Sequence, residues 1–183
     1  PGSYENGAGI VDRAGRITPH PQARSIAELV AELASLRSAT GAPIRSMDDM
    51  DDSSLSSMTG LAGAGLALAR RRQATLPLVA GAEWDERIRA ALTPGLMAVR
   101  GNRFLHLQGL HTKADAAAQL LVAVPGGGKV AACGDSPNDL EMLRSADLAI
   151  IVPSSAGPHP VLVAALPKAR IAPAPVSNRK AGR

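Results

Sequence analysis

The sequence predicts an α/β fold, part of a doubly wound parallel sheet, joined to a separate α+β module. Three observations carry that expectation. Residues 113–152 run helix, strand, helix, strand, the alternation that builds a parallel sheet flanked by helices. Residues 10–108 run hairpin, helix, strand, helices, strand, helix and hairpin, a complete α+β unit. The chain has 183 residues, 45% hydrophobic and 20% charged, enough to bury one ordinary domain or a small one plus part of another.

Composition narrows the chemistry. Tyr4, Trp84 and Phe104 are the whole aromatic complement, so the core must be built from Ala, Leu, Val and Ile. The single cysteine, Cys133, excludes an internal disulfide and fits a reducing compartment. Its place in a strand predicts a buried, inert thiol. The net charge of +4 comes mostly from scattered arginines, apart from Arg70-Arg71-Arg72. With so few aromatics, stacking on single-stranded nucleic acid is not expected, and anionic small molecules are the better partners. The sequence has no apolar run of about eighteen residues and no signal peptide at its start. The expectation is a soluble cytoplasmic protein with no nucleic-acid or membrane partner. Its first residue is Pro1 rather than Met, which leaves room for preceding sequence.

Taken in order, Asn6-Gly7 signals a turn. Ile10-Val11 and Ile17 then flank a hairpin across residues 12–16. Residues 20–40 read as a helix, with Ile26, Leu29, Val30, Leu33 and Leu36 on one stripe and Gly41 as its stop. Residues 43–47 read as a strand. The acidic run from Asp48 to Asp52 suits either a metal site or a solvated helix start, where negative charge complements the dipole. A short helix over 53–58 and a second over 61–72 follow. Arg70, Arg71 and Arg72 close the second helix, where they serve its dipole or reach a carboxylate or phosphate. Residues 75–79 form a strand and 83–92 a helix that Thr93-Pro94-Gly95 ends. Residues 96–99 and 104–107 form a hairpin. A helix over 114–124 stops at Pro125-Gly126-Gly127-Gly128. Strands over 129–132 and 147–152 flank a helix over 140–146. A short helix covers 160–166, and residues 170–183 form a disordered basic tail.

The most informative stretch runs from Cys133 to Met142. It follows an apolar strand and opens a helix, with Ser136 suited to the N-cap, Pro137 to the first helical position and Asp139 three residues past the cap. Capping alone accounts for Ser136 and Asp139. The turn, however, lies at the carboxyl end of a parallel strand, where open α/β sheets bind ligands. Carboxylate oxygens there suit Mg²⁺, which keeps several waters and takes one or two protein carboxylates.

The string Gly134-Asp135-Ser136-Pro137-Asn138-Asp139, with Met142 beyond, resembles the fourth motif of the haloacid dehalogenase (HAD) superfamily of phosphatases. Lys113, one helix and one strand earlier, matches the third. Glu5-Asn6-Gly7-Ala8 before a hairpin resembles the crossing from core to cap in the subfamily with an α/β cap inserted after the third core strand. The resemblance implies a HAD-like core with an inserted α+β cap, divided as crossing 1–9, cap 10–108, core 109–169 and tail 170–183. It also implies Mg²⁺ on Asp135, with Asn138 and Asp139 holding the Lys113 ammonium and the metal's waters.

Within the superfamily the chain is most similar to mannosyl-3-phosphoglycerate phosphatase. The further matching strings are Met58-Thr59-Gly60-Leu61, Arg71-Arg72-Gln73-Ala74-Thr75 and Gly101-Asn102-Arg103-Phe104-Leu105-His106. That family hydrolyses 2-O-mannosyl-3-phosphoglycerate to mannosylglycerate. By this resemblance Arg72, Gln73 and Thr75 meet the phosphorylated sugar-glycerate substrate, and Arg103 and His106 are cleft residues. Two departures stand out. Family members carry an acid before the proline at the position of Leu76, so the substrate is alternatively another phosphosugar, such as glucosyl-3-phosphoglycerate or sucrose phosphate. The superfamily's Asp-x-Asp-Gly-Thr, which supplies nucleophile and general acid, has no counterpart here. The expectation is therefore the C-terminal two-thirds of such an enzyme, inactive as this chain, or a non-enzymatic remnant that binds phosphosugars or a partner.

Overall fold

Three sheets organise the computed structural model, which describes residues 1–122 and 128–173. The first is antiparallel and takes its strands in chain order: β1 (Gly2–Tyr4), β2 (Gly9–Val11) and β3 (Ile17–Pro19). The expected hairpin joins β2 to β3, with Ile10 opposite Thr18. Asp12 holds its turn by accepting from the Ala14 and Arg16 N–H groups.

The second sheet is antiparallel in the order β4 (Arg45–Ser46), β5 (Thr75–Val79), β7 (Leu105–Gly109) and β6 (Leu96–Arg100). Leucine alternation sets its faces. Leu76, Leu78, Leu105 and Leu107 point to one side and pack on Leu29, Leu33 and Leu36 of helix α1 (Ile26–Thr40) and on Ile88 of α4 (Asp85–Ala90). Val79 lies on the other side, against Met47, Phe104, Leu55 of α2 (Asp52–Thr59) and Leu66 of α3 (Ala64–Arg70). Thr75, Pro77, His106 and Gln108 share that second face by the same period of two.

Among the elements that are shorter than their sequence suggests, three have a local cause. Helix α1 begins at Ile26 rather than 20, because Ser25 and Glu28 form a capping box. Strand β4 ends at Ser46, where Ser46 and Asp49 cap a 3-10 turn over Met47–Asp49. β4 pairs only with Leu78 and Val79, so Pro77 has no neighbour on that side to miss its absent N–H. Helix α3 starts late because Gly60 and Gly63, both at positive φ, separate it from α2.

The third sheet is parallel, in the order β10 (Arg170–Ile171), β9 (Leu148–Ile151) and β8 (Ala131–Gly134). Helix α5 (Lys113–Val122) precedes it, α6 (Leu140–Ser145) links β8 to β9, and α7 (Pro160–Ala165) leads to β10. Two corrections arise here. Arg170 and Ile171 pair with Ile150 and Ile151 rather than opening a disordered tail; residues 174–183 lie outside the described residues. Cys133 is exposed, not buried. Leu143 of α6 and Leu162 of α7 both pack with Ala132 and Ile151, so one face of β8 is covered while Ala131 and Cys133 point to the other. The expected helix stop at 125–128 falls mostly on residues 123–127, outside the described set. No helix among the described residues is long and apolar enough to cross a membrane.

Candidate functional site

The turn after β8 is built around one carboxylate. Asp139 Oδ2 accepts from the Asp135 N–H at 3.0 Å, the Ser136 N–H at 3.1 Å and the Ser136 hydroxyl at 3.2 Å. Asp139 Oδ1 accepts from the Lys113 ammonium at 2.6 Å. Only a glycine at 134 permits this, since a Cβ there would lie 2.5 Å from the Asp139 Cβ. Burial pushes the Asp139 carboxyl up, but the Lys113 ammonium and the two backbone donors outweigh it and hold it below its usual value. The Lys113 side chain stays partly exposed at the first turn of α5, so its charge faces the cleft as well as Asp139.

Asp135 is placed differently. It is exposed, and its Oδ2 accepts from the Asn102 side-chain amide at 2.6 Å. Its Oδ1 has no protein partner among the described hydrogen bonds. Asn138 turns its Oδ1 to the Ser136 hydroxyl, so among the described residues Asp139 alone holds Lys113. No cluster of three His, Cys, Asp or Glu side chains exists among the described residues. A cation here would therefore have Asp135 as its one protein carboxylate, the mode Mg²⁺ tolerates and Zn²⁺ does not. On donor chemistry the Asp135 oxygens fit Mg²⁺.

A cleft of about 460 Å³ opens between this turn and the antiparallel sheet, and Asn6, Asn102, Arg103, His106, Lys113 and Asp135 line it. Arg103 donates to the Thr59 carbonyl at 2.8 Å and keeps exposed N–H groups. His106 Nδ1 has no partner among the described residues. Burial, then the charges of Arg72, Lys113 and Arg100, push the His106 pKa down to about 4, so the imidazole is neutral at pH 7. The cleft thus gathers Arg103, His106, Lys113, Asp135 and Asn138 from the expected set.

It does not gather Arg72, Gln73 or Thr75 on its wall. The Glu5 carboxylate accepts from the N–H groups of Gln73, Ala74 and Thr75 at 2.8–2.9 Å and from the Thr75 hydroxyl at 3.1 Å. Thr75 is fully buried, so its hydroxyl anchors Glu5 rather than facing a ligand. Arg72 is half-buried, its Nε has no partner among the described residues, and its charge is felt by His106.

Sequence reasoning missed Glu5, Asn102 and Gln108. Gln108 accepts from the Asn6 amide at 3.1 Å and donates to the His111 carbonyl at 2.7 Å, joining the two chain segments that enter and leave the antiparallel unit. Gly7 makes the same junction sterically: at φ +94° its absent Cβ would sit 2.0 Å from the Thr112 carbonyl oxygen. The Asn6-Gly7 turn signal and the Glu5-Asn6-Gly7-Ala8 string were the hints of that junction.

No family model and no curated protein matches the chain. Solved structures do. A phosphatase of the haloalkanoate (HAD) superfamily from Bacteroides thetaiotaomicron is 18% identical with a TM-score of 0.56, covering 79% of this chain and 59% of its own. A HAD subclass IIB sugar phosphatase is 16% identical with a TM-score of 0.61, covering 93% of this chain and 68% of its own. A Thermotoga maritima protein is 15% identical with a TM-score of 0.53, covering 91% of this chain and 67% of its own.

The chain has the HAD fold. Parallel and antiparallel sheets occur together in it; we call the parallel unit the core and the four-stranded antiparallel unit the cap. The chain spans 59% of the Bacteroides phosphatase, so it presents only part of what that structure contains. The sequence holds one Asp-x-Asp string, Asp49-Met50-Asp51, and it lies in the cap. Asp49 caps a turn and pairs with Arg37, and Asp51 caps α2. Asp48 and Asp52 flank Arg70, so the acidic run is engaged in caps and ion pairs.

Proposed function

We propose that this chain is the cap and motif-bearing core of a Mg²⁺-dependent HAD phosphatase that converts 2-O-mannosyl-3-phosphoglycerate to mannosylglycerate in the cytoplasm. The reading divides it into a crossing segment to residue 9, a cap over 10–108 and a core from 109 through β10. The observation that carries it is the Lys113–Asp139 pair standing beside exposed Asp135 at the carboxyl end of β8. Lys113 offers a fixed positive charge to phosphoryl oxygens, and Asp139 holds it there. Mg²⁺ bound at Asp135 supplies further charge neutralisation. Arg103 and neutral His106 meet the sugar-glycerate from the cap side of the cleft. Attack on phosphorus is assigned to no residue of this chain, because among the described residues no second carboxylate pair stands at the β8 turn.

One observation favours a different phosphosugar. Leu76, at the position where the mannosyl-3-phosphoglycerate family carries an acid, is buried in the apolar cluster under α1. Calorimetry with mannosyl-3-phosphoglycerate, glucosyl-3-phosphoglycerate and sucrose phosphate, each with Mg²⁺, separates the readings. Tightest binding of the mannosyl compound is expected, and a preference for either of the others moves the assignment to it. Binding of none overturns the phosphosugar reading. Phosphate release by these 183 residues is expected to be absent, and robust turnover would place the nucleophile among them.

A further inference from the structure

The hairpin loop between β6 and β7 is held from three sides. Phe104 is buried with Met47, Leu55 and Leu66. Arg103 donates to the Thr59 carbonyl at the end of α2. The Gly101 N–H donates to the Phe104 carbonyl at 2.9 Å, closing the loop, and a Cβ at Gly101 would press on the His106 ring at 3.3 Å. Within this fixed loop the Asn102 side chain is exposed. That side chain crosses the cleft to the core and bonds Asp135 Oδ2 at 2.6 Å.

A carboxylate has two oxygens and about four lone-pair directions. Asn102 occupies Oδ2, and Oδ1 has no protein partner among the described hydrogen bonds. The two tasks are therefore compatible: Oδ1 can face a cation while Oδ2 keeps the amide. A hydrogen bond to the free oxygen of a ligating carboxylate fixes its orientation, and losing such a partner typically weakens metal affinity roughly 10- to 100-fold.

We infer that Asn102 is a cap-borne positioning residue for the cation site: it orients Asp135 across the cleft, so that cap docking and divalent-cation binding strengthen each other. The inference rests on the reading of Asp135 as the cation carboxylate. By linkage, whatever factor docking adds to cation affinity, the cation adds to docking. Asn102 touches no substrate in this account. It acts through Asp135; of the other cleft residues, Arg103 lies in the same loop and His106 in β7 just beyond it.

The test uses the 183-residue chain and Mn²⁺, which shares the oxygen preference of Mg²⁺ and is read by water-proton relaxation. Asn102→Ala is expected to weaken Mn²⁺ binding about tenfold. Asn102→Gln, which keeps an amide donor, is expected to recover most of that loss. Parent affinity in Asn102→Ala, or no recovery in Asn102→Gln, overturns the inference. A metal-free measurement separates it from the cation reading. Amide hydrogen exchange of residues 101–104 is expected to speed up in both Asn102→Ala and Asp135→Ala without any metal. If the parent binds no Mn²⁺ but exchange behaves so, the cation reading fails and only the docking contact survives. If exchange is unchanged in both variants, the contact itself is refuted.

Discussion

The antiparallel cap sheet and the parallel core sheet are made from similar residues but are finished differently. In the cap, leucines from α1, β5 and β7 and Ile88 of α4 fill one face, and a second apolar cluster fills part of the other. Its polar residues are spent on closure: Asp85 takes Arg89 and Arg100, and Glu32 takes the Thr93 N–H and hydroxyl. In the core sheet, Ala132, Leu143, Ile151 and Leu162 fill one face, and Ala131 and Cys133 lie open on the other. β8 pairs with β9 alone among the described strands. The difference teaches where stability and where chemistry lie. The cap supplies a rigid frame, and the core supplies a turn whose polar groups are organised by a single buried carboxylate.

Large-to-small substitutions probe that contrast most strongly. Leu78→Ala, in the middle of the cap cluster, is expected to cost about 4 kcal/mol, because close neighbours on all sides keep the cavity open. Leu162→Ala, on the short α7, is expected to cost about 2 kcal/mol, since a six-residue helix can settle into the space. Urea unfolding followed by circular dichroism checks both values. Trp84 packs on the cap cluster, so its fluorescence reports the cap by itself. Equal costs would erase the proposed difference.

A smaller effect tests the turn. Asp139→Asn removes the acceptor of Lys113 and weakens the hold on two N–H groups, and is expected to cost about 2–3 kcal/mol at pH 7. The sign with pH follows from the lowered carboxyl. Its stabilisation is complete above the unfolded value of about 4 and is lost as pH falls through the lower folded value. Denaturation midpoints from pH 6 to pH 2 should therefore fall more steeply for the parent than for Asp139→Asn. Parallel curves would show that Asp139 is not the group that stabilises the turn.

The mildest probe leaves the fold intact. Cys133 should react with a thiol reagent in the native protein nearly as fast as in urea, because its side chain is exposed on the open face of β8. Strong native protection would show that this face is covered in solution.

Much of this was legible in the sequence, and the exceptions share a cause. The β2–β3 hairpin, the Gly41 stop, strand β5, and the strand–turn–helix into α6, with its strand at Ala131–Gly134 rather than 129–132, are all local in origin, set by turn residues, alternation and caps. The Lys113–Asp139 contact was legible only through the motif pattern, since 26 residues separate its partners. What was not legible depends on packing across the chain. Glu5 closing on Gln73–Thr75, nearly seventy residues away, turned Thr75 from a ligand-facing residue into an anchor. Cys133 read as buried because strand residues of a complete parallel sheet are covered on both faces, whereas this sheet is covered on one. Asn102 read as a turn residue, and no local rule says which carboxylate a turn side chain will meet.

The central claim is that Lys113, held by Asp139, is the phosphate-binding charge of the cleft. Calorimetry with mannosyl-3-phosphoglycerate and Mg²⁺, on the parent and on Lys113→Gln, with dephosphorylated mannosylglycerate alongside, tests it most directly. The account predicts binding by the parent, at least tenfold weaker binding by Lys113→Gln, and no binding of mannosylglycerate. Equal binding by parent and variant, or equal binding of the dephosphorylated sugar, would contradict it.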